Sequence, residues 1–276
     1  MKIDAHQHFW QIDRGDYGWL TPELGEIYQD FLPQDLISHL HANDVSGTIL
    51  VQAAPTIEET HFMLKLADSH DFIMGVVGWV DFESPTVLSQ IEALAKHEKL
   101  VGVRPMIQDK SDKNWILNPD FAKVFEALIA NDLSFDALVL PKHLCNLLTL
   151  LDRHPTLRTI IDHGAKPEIA RGPIDSWARD LSRLADQTNA YCKLSGLATE
   201  AAADWKVDDL RPFADHIIKC FGADRVIWGS DWPVLNLAGD YAMWCEATNA
   251  ILQKLSEGQR QKIFSENAIE AYKLGA

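Results

Sequence analysis

An α/β barrel of the TIM type is the fold class that this sequence predicts, and three observations carry the prediction. Eight short apolar runs recur along 276 residues, with room for a helix between consecutive runs. Several runs are apolar throughout and rich in Val and Ile, which is typical of parallel strands buried on both faces. The length suits a closed (β/α)8 barrel, which takes about 250 residues as one domain. A doubly wound open sheet is the alternative architecture.

Each predicted strand is one of these apolar runs, and helices are expected between them. The strands are expected at residues 2–9, 47–53, 72–80, 100–106, 133–140, 158–163, 190–195 and 225–230. The clearest helix begins with Asn118 as N-cap and Pro119 at the first helical position, and its apolar side chains then follow helical spacing over residues 121–129.

Further helix signals follow other predicted strands. The X-Pro pairs at 84–85 and 172–173 predict two helix starts, and an apolar stripe over residues 241–255 predicts another helix. A capping-box pattern at Ser256 opens an additional C-terminal helix that should run to about Leu274, with a bend near Asn267. These signals come after the third, sixth and eighth predicted strands.

The connection over residues 11–32 is too long for a plain turn. It carries Tyr17, Trp19 and Tyr28, and we expect it to line or cover the active site. No Gly/Ser tract, charge block or repeat marks a boundary, so one domain spanning residues 1–276 is expected.

Composition and charge exclude several classes of function. Forty acidic against 25 basic residues, a formal charge of −15, leave no basic field, so neither nucleic acid nor an anionic membrane is an expected partner. The longest apolar run, residues 72–80, is too short to span a membrane. The four cysteines form no C-x-x-C pair and predict reduced thiols. No leader pattern follows Met1, so a cytoplasmic location is expected, and homo-oligomerisation stays open.

His6 and His8 form the first candidate site, because they lie two residues apart in the first predicted strand. Side chains alternate in a strand, so both imidazoles should share a face, where they can hold a borderline-soft divalent ion such as zinc. Two histidines that are merely hydrogen-bonded near a strand end have the same spacing. The G-x-S-x-G, G-x-G-x-x-G, P-loop and H-E-x-x-H motifs are absent from the sequence. No motif therefore supports a serine hydrolase, a dinucleotide-binding enzyme, a P-loop enzyme or an H-E-x-x-H metalloprotease.

His163 and Asp231 each follow a later apolar run. In a β/α barrel the carboxyl ends of all strands meet at one face, so these side chains can share a pocket with the histidine pair. Alternatively, His163 caps the next helix and Asp231 starts a turn.

Several segments together resemble the amidohydrolase superfamily, and most closely its sugar-lactonase branch. They are residues 3–10 (IDAHQHFW), 162–167 (DHGAKP), 193–196 (KLSG), 221–233 (FGADRVIWGSDWP) and 265–268 (SENA). The resemblance covers the whole chain. It implies a distorted (β/α)8 barrel that hydrolyses a sugar lactone such as L-fuconolactone or L-rhamnonolactone. Relatives that open 2-pyrone-4,6-dicarboxylate or decarboxylate aromatic acids supply the alternative activity, and a non-enzymatic sugar-binding barrel is the alternative of another class.

Carried over position by position, the resemblance implies that His6, His8, His163 and Asp231 are ligands of one divalent metal, with zinc as the expected ion. No lysine is clearly placed as the bridge of a binuclear centre, so a single ion is expected. Some lactonases of this group resemble metal-using relatives without holding a metal tightly. A dispensable metal, with the histidines acting as hydrogen-bond donors, therefore stays open.

Asp231 is the expected general base, and His163 its catalytic partner. A carboxylate within reach of the attacking water can take its proton and return it to the ring oxygen as the C–O bond breaks. His163 or Arg104 is expected to stabilise the oxyanion.

Four residues are expected to bind the substrate: Arg104, Lys193, Trp10 and Trp232. An arginine at a strand end can grip a carboxylate or polarise a lactone oxygen, although an outward salt bridge is the alternative for Arg104. Lys193 shares a strand face with Ser195.

Asp136 is a candidate partner of the site residues, within its predicted strand. Trp10 and Trp232 can stack on the apolar face of a sugar, whereas Trp79 and Trp228 are expected in the core.

Overall fold

A computed structural model describes residues 1–172 and 175–275 and contains one eight-stranded parallel sheet in the order β1 to β8. Each strand pairs in parallel with the next. A parallel bridge between Gln7 and Trp232, with the amide of Asp231 donating to the carbonyl of His6 at 2.8 Å, joins the first and last strands. The sheet is therefore a nearly closed barrel, which confirms the predicted fold class and excludes the open sheet.

All eight predicted strands are present, each shorter than its apolar run. They are β1 (Ile3–Gln7), β2 (Gly47–Val51), β3 (Ile73–Gly78), β4 (Leu100–Val103), β5 (Ser134–Ala137), β6 (Thr159–Ile161), β7 (Tyr191–Leu194) and β8 (Val226–Trp228). The α-helices among the described residues are α1 (Pro33–Ala42), α2 (Ile57–Ser69), α3 (Val87–Leu94), α4 (Ala122–Ala130), α5 (Leu144–Arg153), α6 (Asp175–Gln187), α7 (Val207–Phe221), α8 (Tyr241–Leu252), α9 (Glu257–Gln261) and α10 (Asn267–Tyr272). None of these described helices is long and apolar enough to cross a membrane.

The predicted helix starts agree with the structure to within a few residues. Asn118 Oδ1 accepts a hydrogen bond from the amide of Asp120 at 3.1 Å and opens a short 3-10 turn that leads into α4. The start predicted at residues 84–85 falls two residues before α3. Pro173 of the pair at 172–173 lies outside the described residues, and α6 begins at Asp175.

Strand side chains alternate between two apolar cores, which explains why the runs are apolar throughout. Outward side chains such as Leu50 and Val76 pack under the helices. Inward side chains such as Ile49, Val77 and Ile227 pack together inside the barrel. The barrel is thus filled by side chains, and only its ends are available for a site.

The additional C-terminal helix is present and bent as predicted. A π-helical turn over Lys262–Glu266 separates α9 from α10, immediately before Asn267. Ala271 and Tyr272 of α10 join the interior cluster of the barrel, together with Ile3 at the start of β1. Helix α10 therefore covers the amino-terminal mouth of the barrel, opposite the strand ends that carry the polar residues.

Residues 11–32 fold back over the carboxyl ends of the strands. The amide of Trp10 donates to the carbonyl of Phe31 at 2.9 Å, which ties the two ends of this connection together. The indole Nε1 of Trp19 donates to the carbonyl of Ala53 after β2 at 2.7 Å. The connection is held against the face where the predicted site residues lie.

Candidate functional site

An irregularity in β1 brings His6 into the barrel. Ile3 and Ala5 pack in the interior cluster, so strict alternation would turn His6 outward. The register with β2 shifts within residues 4–7, and His6 consequently lies inside. Its ring centroid is 4.9 Å from that of His8. The two rings meet, but through this irregularity rather than through regular alternation.

A left-handed turn after β6 carries His163 and Lys166 to the same face. The φ angles of His163, Gly164, Ala165 and Lys166 are 52°, 58°, 63° and 49°. For non-glycine residues this conformation costs about 1–2 kcal/mol each. Strain of this kind is typical of functional sites, where packing and hydrogen bonds from the surrounding structure hold the backbone in the strained conformation.

Three imidazoles converge on one oxygen of Asp231. The Nε2 atoms of His8, His6 and His163 lie 3.3, 3.6 and 3.8 Å from Asp231 Oδ1. Donor atoms of His6, His163 and Asp231 all lie within 4.8 Å of one another, and all three residues are buried. Ligands that are each about 2.1 Å from a tetrahedral ion lie about 3.4 Å apart. The spacing suits one divalent cation, with His8 beside this set of three.

The protonation states of these side chains also suit a cation. Burial lowers the pKa of His8, lowers that of His163 to about 4, and, with Lys193 nearby, holds that of His6 well below its usual value. The rings are therefore neutral near pH 7. Burial acts to raise the pKa of Asp231, but interactions with its neighbours, of which that with His163 is the largest, outweigh it, so this pKa lies below its usual value and the carboxylate is ionised.

Contacts of two ring nitrogens fit a bound cation. His8 Nδ1 donates to the carbonyl of Val51 at 2.7 Å, so the lone pair of its Nε2 faces the oxygen of Asp231. Asp162 Oδ1, which also lies 2.9 Å from Lys193 Nζ, is 3.4 Å from His6 Nδ1. A metal-ligating histidine usually donates its other ring N–H to such a carboxylate. The residues present therefore fit a cation at His6 Nε2.

Asp162 is itself held by two cations. Its carboxylate lies 2.9 Å from Lys193 Nζ and 3.2 Å from an Nη atom of Arg104. Burial acts to raise the pKa of Asp162, but Lys193, His6 and Arg104 hold it well below the usual value. Asp162, Lys193 and Arg104 thus form a buried ion cluster beneath the histidines, in which the carboxylate has a positive charge on either side.

A cavity of about 220 Å³ opens beside the histidines. Its volume is below the usual range for drug-sized ligands, which indicates a small substrate. The lining comprises His8, Trp19, Ala53, Arg104, Met106, Gln108, Asp109, Leu138, His163, Lys166, Asp231 and Val234. Of the residues predicted to bind substrate, Arg104 is in this wall, with Nη1 3.3 Å from His6 Nε2.

The other three predicted substrate residues lie behind the wall. Lys193 is fully buried beneath the histidines, where it donates to Asp136 at 2.7 Å. Trp10 and Trp232 lie in the apolar core, and the indole N–H of Trp10 donates to the carbonyl of Gln29 at 2.7 Å. Alternation along a strand indicates the side on which a residue points, but not its depth in the barrel.

Sequence reasoning assigned neither Trp19 nor Lys166 individually to the wall. Trp19 supplies the aromatic surface, from the connection that was expected to line the site. Lys166 reaches the cavity through the left-handed turn, for which the pattern contains no strong signal apart from Gly164. Ser195 lies behind His163, with its Oγ 2.9 Å from His163 Nδ1.

Comparison with known proteins gives the family. The amidohydrolase profile matches residues 3–274. An L-fucono-1,5-lactonase of Burkholderia ambifaria is 43% identical over 277 residues, covering 99% of this chain and 96% of that protein. An L-fucono-1,5-lactonase of Burkholderia multivorans is 34% identical over 294 residues, with coverage of 99% and 96%. A crystal structure of a Burkholderia multivorans amidohydrolase with bound zinc is 34% identical, superposes with a TM-score of 0.94 and covers 99% of both chains. This chain belongs to the amidohydrolase family.

Proposed function

We propose that this protein hydrolyses a sugar lactone to its sugar acid, with L-fucono-1,5-lactone as the first substrate to test. The observation that carries the proposal is an ionised Asp231 facing three neutral imidazoles at the wall of a small cavity. Similarity to two L-fucono-1,5-lactonases over nearly the whole chain supports the choice of substrate.

His6, His163 and Asp231 would hold one divalent cation, with zinc as the expected ion and His8 against the same carboxylate oxygen. When bound, such an ion polarises a carbonyl and lowers the pKa of a coordinated water toward ~7. Zinc in a relative of high structural similarity supports this assignment.

The side chains of this protein supply the remaining chemistry. Asp231 takes a proton from the attacking water and returns it to the ring oxygen as the C–O bond of the lactone breaks, so that the product is a hydroxy acid. Arg104 lines the cavity and presents N–H donors to the oxygen that gains negative charge. Trp19 offers an apolar surface to the carbon face of the sugar ring.

A proton-release assay tests the reaction. Purified protein should open L-fucono-1,5-lactone above the spontaneous rate measured in a blank, and L-rhamnonolactone is the second substrate. The mirror-image lactone is the matched control, because it has the same intrinsic reactivity. Turnover of no sugar lactone would refute the proposal.

The same assay with 2-pyrone-4,6-dicarboxylate tests the alternative activity. Only two lysine or arginine side chains, Arg104 and Lys166, belong to the described lining, whereas Asp109 and Asp231 add negative charge. We therefore expect no turnover of this dicarboxylate. If the protein hydrolyses the pyrone and no sugar lactone, the alternative activity replaces the proposed one.

Metal analysis tests the cation separately. The protein should retain up to one equivalent of zinc, and the double variant His6→Ala, His8→Ala should lose it. Removal of the metal by a chelator should lower the rate, and zinc addition should restore it. A metal-free enzyme with the full rate would show that the metal is not catalytic and that the histidines act as donors.

A further inference from the structure

A buried polar cluster lies beneath the candidate site, and the proposed reaction uses none of its members directly. Asp136 of β5 and Lys193 of β7 point into the barrel and are fully buried. Tyr272 of α10 enters the barrel from the amino-terminal mouth and is equally buried. The cluster therefore joins the C-terminal helix to the barrel interior.

Hydrogen bonds to Asp136 are the first part of this connection. The hydroxyl of Tyr272 donates to Asp136 Oδ2 at 2.6 Å, and Lys193 Nζ donates to the same oxygen at 2.7 Å. The hydroxyl of Ser134 donates to the other oxygen, Oδ1, at 3.0 Å. With three donors on one buried carboxylate, the orientation of Asp136 is closely defined.

Lys193 is the second part of the connection. Its ammonium group lies 3.0 Å from His6 Nδ1 and 2.9 Å from Asp162 Oδ1, the oxygen that lies 3.4 Å from the same ring nitrogen. Arg104 can only donate to His6 Nε2, so the lone pair of the ring is on Nε2 and Nδ1 carries the proton that Asp162 accepts. Lys193 thus fixes Asp162, the acceptor of the His6 ring, on the side opposite the cavity.

We propose that Tyr272 is a positioning residue for the candidate site. It holds Asp136, Asp136 holds Lys193, and Lys193 fixes Asp162, which sets the orientation of the His6 ring. The proposal rests on the proposed lactonase function only for its activity measurement. Partners behind a metal ligand typically change metal affinity or activity by about 10–100-fold when removed. Because Tyr272 acts through three intervening residues, we expect the lower end of this range.

Tyr272→Phe is the direct test, because it keeps the ring in the interior cluster and removes only the hydroxyl. Three quantities are measured: the Zn²⁺ dissociation constant in competition with a chelator, kcat and KM on the lactone, and the ¹⁵N chemical shifts of the His6 ring. We expect the Zn²⁺ dissociation constant to rise and kcat to fall by about 10-fold each. KM should change less than about twofold, because Tyr272 does not line the cavity. The ¹⁵N shifts of His6 should move.

Tyr241→Phe is the matched control. The hydroxyl of Tyr241 donates to a buried carboxylate, Asp4 Oδ2, at 2.9 Å, so this variant also removes one buried tyrosine–aspartate hydrogen bond. Asp4 keeps its bonds from the amide and hydroxyl of Ser230 and, on Oδ1, from the backbone amide of His6 at 3.2 Å, so the control leaves the contacts of the His6 ring unchanged. The control should lose similar stability and keep zinc affinity and kcat within about twofold.

A folded Tyr272→Phe variant with unchanged zinc affinity, kcat and His6 shifts would overturn the proposal. If that variant does not fold, Ser134→Ala removes a donor from the same carboxylate and must change the same quantities. Unchanged values in Ser134→Ala would then overturn it. If the wild type opens no lactone, the proposed function fails, while zinc affinity and the His6 shifts still decide the role of Tyr272. If the wild type also binds no Zn²⁺, the His6 shifts alone decide it.

Discussion

Replacing Gly196 by alanine tests whether the space behind His163 is required. Gly196 follows β7 with φ +63°, and a Cβ placed there would lie 2.5 Å from His163 Nδ1 and 2.7 Å from its Cγ. Ordinary contacts are about 3.5 Å or more, so the imidazole must move by about 1 Å. His163 is buried, and such a shift breaks its 2.9 Å hydrogen bond with Ser195.

The expected cost follows from three effects. Left-handed backbone conformation costs a non-glycine residue about 1–2 kcal/mol. Overpacking a buried site costs about 1–3 kcal/mol, and the lost hydrogen bond about 1 kcal/mol. We therefore expect the free energy of unfolding to fall by about 3–6 kcal/mol. A displacement of about 1 Å at a catalytic group costs about 100-fold in rate, so kcat/KM should fall by that factor.

Gly15→Ala is the control for backbone strain alone. Gly15 has φ 72° and ψ 6°, a left-handed conformation, and a Cβ placed there would meet no atom within 4 Å. This variant should lose only about 1–2 kcal/mol and keep its activity within about twofold. Denaturant unfolding and the lactone assay measure both variants. If Gly196→Ala is no less stable than Gly15→Ala and retains kcat, His163 is not held as described.

Two further substitutions test the site, and a third tests Glu59, a buried carboxyl group of α2. Asp231→Asn should fold normally and lose at least about 100-fold in kcat, and near-normal turnover would exclude its role as the base. Trp19→Phe removes the indole hydrogen bond to Ala53 and should raise KM about fivefold, the equivalent of about 1 kcal/mol; an unchanged KM would remove Trp19 from substrate binding. Burial raises the pKa of Glu59 to about 8, so between pH 5 and 8 the folded state binds more protons than the unfolded state. Stability contributed by this group should therefore fall as pH rises, by up to about 4 kcal/mol, and Glu59→Gln should flatten the profile measured by urea unfolding; an equally steep profile in the variant would contradict the assignment.

Local sequence patterns determined the order and kind of the elements. Strands buried on both faces need continuous apolar runs, and helix caps need particular residue types, so both are readable from neighbouring residues. The same holds for the bend before Asn267, which the structure places between α9 and α10. His6 was predicted because it lies two residues from His8 in the first strand, and His163 and Asp231 were predicted because each follows a later apolar run and barrel strands end at one face.

The depth of each side chain was decided only by the closed barrel. Lys193 and Arg104 both end on the inward side, yet one is fully buried beneath the histidines and the other lines the cavity. The difference arises from strand register and tilt, which involve residues far apart in sequence. Periodicity along one strand contains no information about these quantities.

Backbone irregularities set the final geometry of the site, and they too depend on tertiary structure. The register shift in β1 turns His6 inward, and the left-handed turn after β6 directs Lys166 into the cavity. Both conformations are unfavourable or neutral for the isolated chain and persist because packing and hydrogen bonds around them compensate for the cost. The sequence by itself therefore determined the barrel, the family and the donor residues. Only the folded barrel decided which side chains reach the substrate cavity and which hold the site from below.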